Sequence, residues 1–236
     1  MNTLPVEVRY SQLLWNCPLS EPSAKRLLDK LQLSTETAIV DIGCGWGELL
    51  LRVAQQSGAP AFGIDTDDAL LARGRASASA AHVPVQFANM RADDFVSRRP
   101  RAICIGSSHA FGGTRQMLEG LAKVVPQGRV LIGDMCWETS PSKECLDMFE
   151  DEVMPLSSIV ALCRETGWKV MYVETATQQD WDAFECGHRA GTREWLVENA
   201  SDARAADVEE ELTKKEDGYF RVYRGHLGFV FAVLAR

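Results

Sequence analysis

From residue 38 to 135 the apolar positions fall into short runs that alternate with stretches patterned at helical spacing. AIVDI (38–42), AFGID (61–65), VPVQF (83–87), RAICIG (101–106) and GRVLIGD (128–134) read as strands. Between them, GELLLRVAQQSG, DDALLARGRASASA and TRQMLEGLAKVV read as helices. The last carries Met117, Leu121 and Val124 on one side and is stopped by Pro126 and Gly128. This alternation predicts βαβ units and a parallel sheet.

The flanks extend that plan. SEPSAKRLLDKLQL (20–33) predicts a helix with Ser20 as cap, Pro22 in the first turn and Leu27, Leu28 and Leu31 on one face. Residues 136–155 are too long for a tight loop and read as an insertion before the helix SSIVALCRETG. KVMYVETA (169–176) and HLGFVFAVLA (226–235) complete seven strands. Two helices are expected within 177–225, one aligning Trp181, Phe184, His188 and Trp195, the other Val208, Leu212, Tyr219 and Tyr223. The expected fold is α/β: a seven-stranded, doubly wound, mostly parallel sheet in one domain, 1–236. Residues 1–35 form N-terminal helices or a lid, 36–135 the ligand-binding half, and 136–155 and 177–225 helical cap insertions.

Composition narrows the classes of function. Of 236 residues, 46% are apolar and 25% charged, which suits a globular domain with a well-buried core. A net charge of −8 leaves no basic footprint for a phosphate backbone, so the expected partner is a small molecule, not nucleic acid. No window approaches 18 uninterrupted apolar residues, and MNTLPVEVRYSQLLW lacks the pattern of an export signal, so no membrane association is expected. The seven cysteines include no CxxC pair and several lie inside apolar runs, pointing to a reducing cytoplasm.

VDIGCGWGE (40–48) places Gly43, Gly45 and Gly47 at alternate positions directly after the first strand. Glycines there let the backbone turn sharply and approach a ligand, while the next helix presents its free amides. A dinucleotide fold needs G-x-G-x-x-G, so that a diphosphate can rest on the helix start. Here the third of those positions is Glu48, whose carboxylate would repel it.

The D-I-G-C-G-W-G pattern, with Asp65 closing the second strand, resembles motif I and the acidic strand end of the class I S-adenosylmethionine-dependent methyltransferases. CIGSSHAFGG (104–113), GDMCW, DWDAFE and YRGHLGF are similar to a small-molecule subgroup of that family. The resemblance implies a Rossmann-like fold with S-adenosyl-L-methionine as cofactor. It places Gly43, Gly45 and Gly47 around the methionine part, Asp41 near its ammonium and Asp65 on the ribose hydroxyls, with Thr66, Gly106 and Ser107 alongside. Where the family has an acid for adenine, this chain offers Asn89, with Met90 or Phe95 to pack on the ring; a solvated turn explains Asp93 and Asp94 equally. Trp15 and Asn16, in WNCPLSE, resemble a segment that closes over the cofactor.

Methyl transfer from a sulfonium is a displacement from an activated donor, so positioning dominates, contributing on the order of 7–11 kcal/mol. A general base adds roughly 10²–10⁴ in rate where the acceptor must lose a proton. His109, just past the fourth strand, is the first choice for that base, and His226 the second. His188 shares its helix face with two tryptophans and reads as half-buried packing. Trp137, Trp181, Phe184, Trp195, Tyr219 and Tyr223, with Trp15 and Asn16, are candidates for an acceptor pocket, ordinary packing being the competing explanation for the aromatics. No residue set matches a zinc site, so no metal is expected. The expected reaction is transfer to an oxygen or nitrogen of a small metabolite, aromatic ones included. The alternatives are a macromolecular (RNA or protein) methyltransferase and a noncatalytic S-adenosylmethionine-binding module.

Overall fold

The computed structural model describes residues 4–149 and 153–236. Residues 1–3 of the expected N-terminal segment and 150–152 of the expected 136–155 insertion lie outside the described residues. In chain order the elements are α1 (Val6–Arg9), α2 (Glu21–Lys30), β1 (Ile39–Ile42), α3 (Glu48–Ser57), β2 (Ala61–Asp65), α4 (Asp68–Ala80), β3 (Val85–Asn89), β4 (Arg101–Ile105) and α5 (Thr114–Val124). There follow β5 (Arg129–Trp137), α6 (Lys143–Phe149), β6 (Met154–Pro155), α7 (Leu156–Glu165), β7 (Lys169–Thr175), α8 (Gln178–Glu198), α9 (Ala205–Asp217), a π-helical turn (Gly218–Tyr223) and β8 (Leu227–Ala235).

Period-two alternation sorts the strands onto two faces. Ile39, Ile103, Leu131, Phe229, Phe231 and Val233 enter one hydrophobic cluster, while Val40, Ile42, Cys104, Ile132, Val230 and Leu234 enter another. Strands buried on both sides need helices on both sides. Leu27 and Leu28 of α2 and Leu50 and Val53 of α3 cover the first face; Met117 and Leu121 of α5 and Ile159 and Leu162 of α7 cover the second.

The strand order is β3-β2-β1-β4-β5-β8-β7, with the two-residue β6 pairing with β5. Pairings among β1 to β5 are parallel, and β8 runs antiparallel to both its neighbours. The seven expected strands are all present. β3 begins two residues later than its apolar run, after Pro84, which has no amide to donate to a ladder; Asn89 therefore pairs in register with Asp65. Ser20 occupies the N-cap of α2, but its side chain makes no capping bond.

The insertion after β5 contains α6. The second cap helix is not continuous: at Gly218 it widens into the π turn, in which Tyr219 is buried and its hydroxyl donates to Asp182 of α8 at 2.5 Å. α8 starts with a capping box, Thr177 and Asp180 bonding each other's backbone amides. Its Gly191 lies against α1, where a methyl group would overlap Val8 O and Ser11 Oγ. Helix propensity alone would favour alanine there by about 1 kcal/mol. Gly191→Ala is nevertheless expected to lose about 1–3 kcal/mol of stability in urea unfolding, since overpacking against a backbone carbonyl outweighs propensity.

Candidate functional site

Strand order reverses between β1 and β4, and such a reversal leaves a crevice at the strands' carboxyl ends. The turn after β1 forms its floor. Gly43, Gly45 and Gly47 have φ of 74°, 55° and 68°, a region that favours glycine. A side chain at Gly43 would overlap Ser107 at the end of β4, and one at Gly47 would overlap Phe87 of β3. At Gly45 a side chain would meet nothing within 4 Å, because this residue borders the open crevice.

Asp65 ties the turn to the segment between β2 and α4. Its Oδ2 accepts from the Gly45 amide at 2.8 Å and its Oδ1 from the Asp67 amide at 3.0 Å. Asp67 then caps α4, accepting from Ala69 at 2.9 Å and Leu70 at 3.2 Å. The N-terminal segment reaches the same place. Trp46 Nε1 donates to Leu14 O at 2.9 Å, and Arg73 of α4, stacked 4.1 Å from the Trp46 ring, donates to Tyr10 O at 2.9 Å and Leu13 O at 2.7 Å.

These elements enclose a cavity of about 270 Å³. Asp41, Glu48 and Asp65 line it, and no lysine or arginine is among its lining residues. Burial, and secondly the charge of Asp65, push the Asp41 pKa from the ordinary 3.8 up to about 8. Burial also raises that of Glu48, against an ion pair with Arg52 at 2.6 Å. The thiols of Cys17 and Cys44, on the same cavity, are pushed far up by burial first and by Asp41 second, so neither is a nucleophile at neutral pH. Asp65, the paired Glu48 and an Asp41 that a nearby cation would ionise favour a cationic ligand over a diphosphate.

The Methyltransferase domain family model matches residues 39–128. YjhP of Escherichia coli (strain K12), an uncharacterised protein, is 30% identical over 230 residues, covering 93% of each chain. O-methyltransferase resE of Aspergillus sclerotiorum is 28% identical over 177 residues, covering 66% of this chain and 67% of its own. Among solved structures, a SAM-dependent methyltransferase from Geobacter sulfurreducens, in complex with S-adenosyl-L-homocysteine, superposes with a TM-score of 0.89 at 26% identity, covering 100% of both chains. The chain belongs to the class I S-adenosylmethionine-dependent methyltransferases.

In this methyltransferase the cavity gathers Asp41, Gly43, Gly45, Asp65, Thr66, Met90, Gly106 and Ser107 from the residues expected at the cofactor. Gly47 does not line it but caps α3 from below, and Asn89 is exposed, donating to Thr66 O at 3.3 Å. Phe95 is buried elsewhere, its ring 6.0 Å from that of Phe62, and Asp93 and Asp94 are exposed in a short 3₁₀ turn. Trp15 and Asn16 line the cavity. So do Trp46, Leu70 and Ile105, which sequence reasoning passed over. Trp46 had a legible signal in its place between two motif glycines.

The histidines separate. His109 stands on the cavity in the 3₁₀ turn Ser108–Phe111. Asp134 holds that turn's exit, accepting from Thr114 Oγ1 at 2.9 Å. His226 lies off the cavity, its Nδ1 3.0 Å from Thr139 Oγ1. His188 packs edge-on to Tyr10, and burial pushes its pKa down to about 4.

The expected aromatic pocket is not lined as the stripe suggested, because most of its members face other side chains. Trp137 is buried against Phe149, Trp181 lies between Phe184 and Phe229, and Tyr219 bonds Asp182. Tyr223 donates to Glu185 at 2.7 Å and borders a different cavity. None of the four lines the cavity at the glycine turn.

Because the folded state favours protonated Asp41, its contribution to stability is full below about pH 4 and is lost as pH rises toward 8. The melting temperature of the unliganded protein should therefore fall across this range more steeply than that of Asp41→Asn, whose amide does not titrate. Thermal unfolding at pH 4.5 to 8.5 measures the difference, and parallel curves would show that Asp41 is not the group responsible.

Proposed function

We propose that the chain transfers the methyl group of S-adenosyl-L-methionine to an oxygen or nitrogen of a small metabolite in a reducing cytoplasm. The observation that carries this reading is the placing of Asp41, Glu48 and Asp65 around one cavity without a lysine or arginine. A sulfonium amino acid with a cis-diol fits such a site, and a dinucleotide does not. The acidic net charge of −8 and the O-methyltransferase relative support a small-molecule acceptor over a polymer.

When bound, S-adenosylmethionine supplies a methyl group already activated on a positive sulfur. Asp65 retains lone pairs beyond those given to Gly45 and Asp67 and accepts the ribose hydroxyls. Asp41 would hold the ammonium as a carboxylate, its proton released to solvent. Met90 packs on the adenine, while Trp15 and Asn16 exclude water. His109 takes the proton from the acceptor, a role the off-cavity His226 is not placed to share. Residues 36–135 thus hold the donor.

Calorimetric titration with S-adenosylhomocysteine and with NAD tests the reading: the first should bind saturably and the second not. Asp65→Ala should weaken S-adenosylhomocysteine several-fold or more without lowering the melting temperature comparably; unchanged affinity would remove the ribose assignment. With an acceptor found by screening small phenols and amines, His109→Ala should lower kcat by roughly 10²–10⁴ and leave cofactor affinity intact. Full activity in that variant would make His109 structural.

A further inference from the structure

Trp15, Asn16 and Cys17 line one side of the cavity at the glycine turn, yet they belong to no helix or strand. Without a ladder of backbone bonds, such a wall keeps its place through side chains that reach it from other elements. Upstream, Trp46 Nε1 fastens Leu14 O at 2.9 Å. Downstream, and on the wall itself, the anchor is Arg52 of α3.

The Arg52 guanidinium lies over the Trp15 ring, 4.9 Å from its centroid. Its Nη1 donates to Glu48 Oε1 at 2.6 Å, while Nε and Nη2 donate to Glu21 Oε2 at 3.3 and 2.9 Å. Glu48 is the first residue of α3 and Glu21 the first of α2, so one side chain ties both helix starts to the indole. A planar guanidinium can stack on a ring while its edges bond carboxylates; an ammonium cannot do both. The Arg52 side chain is only 19% exposed, a shielding that strengthens the stack. Trp15 and Glu48 line the cavity and Arg52 does not, which places it behind the wall.

We propose that Arg52 is a positioning residue for the methyl donor, holding Trp15 against the cavity and so slowing the donor's escape. The inference rests on the reading of this cavity as the S-adenosylmethionine site. The stack and the bond to α2 exist only while residues 15–17 lie against α3, so their loss favours an open wall, and opening of this kind sets how fast a ligand leaves.

Arg52→Gln alone would leave Glu48 as an unpaired carboxylate that attracts a cation, so the comparison is made in a Glu48→Gln background. There, stopped-flow fluorescence with S-adenosylhomocysteine should show dissociation roughly five- to tenfold faster once Arg52→Gln is added, with association nearly unchanged. With Trp15→Ala also present, Arg52→Gln should add nothing. In the ligand-free chain, acrylamide quenching of Trp15, taken as the difference between each protein and its Trp15→Phe counterpart, should rise several-fold in Arg52→Gln. Glu21→Gln, whose side chain is 56% exposed, should move the quenching in the same direction and decides the matter should Arg52→Gln fail to fold. Unchanged dissociation, an acceleration that persists without Trp15, or quenching indifferent to the folded variants would each overturn the proposal. Absence of S-adenosylhomocysteine binding by the unmodified chain would remove the cofactor reading and the role in retention with it, while the quenching would still show whether Arg52 holds Trp15.

Discussion

The bond from the Gly45 amide to Asp65 is the constraint on which the site rests. It joins the turn after β1 to the end of β2. With its second oxygen on the Asp67 amide, the same carboxylate also positions the start of α4. Charge-assisted bonds of this kind are about twice as strong as neutral ones, and the one on Gly45 holds a glycine-rich turn that would otherwise have many conformations. The approach of Gly43 to Ser107 fixes the turn from the other side.

Electrostatics then divide the molecule. At the carboxyl edge of the sheet, Asp65 and the Arg52-paired Glu48 carry the acidic character, while burial shifts Asp41 toward its protonated form. Among the cap helices Glu185 is engaged by Tyr223 and Arg189 and Glu211 by Lys215, and Arg189 Nη2 is buried without a hydrogen-bond partner among the described residues. Between the two lie Phe229, Trp181 and Phe184, each packed on the next with ring centroids 6.4 and 6.1 Å apart.

How much was legible in the sequence depends on which forces act locally. Strands and layers were readable because period-two alternation is the direct imprint of a sheet buried on both faces, and only Pro84 displaced a boundary. The glycine turn and Asp65 were readable because their spacing is set within one βα unit. Trp137, Trp181 and Tyr219 were misplaced for the opposite reason: a helical or strand stripe shows that one side is buried but not against what. Arg189 was invisible, since its burial depends on Tyr219 and Phe220 arriving from another element. The widening at Gly218 was also unreadable, because Tyr219 and Tyr223 fit a helical period as well as a π turn.

The attachment of residues 10 to 14 has a consequence beyond the cavity. This stretch is fastened beside the cavity by Trp46 Nε1 and the two donors of Arg73, all directed at its backbone carbonyls. Packing adds to those bonds, since Leu13 is buried against Trp46 and Leu70, Tyr10 lies on the Trp46 and His188 rings, and Gln12 donates to Glu194 of α8. The N-terminal stretch thereby couples α8 to the glycine turn, so that a variant loosened at Arg73 would be felt in the exchange of the α8 amides before that of the strands.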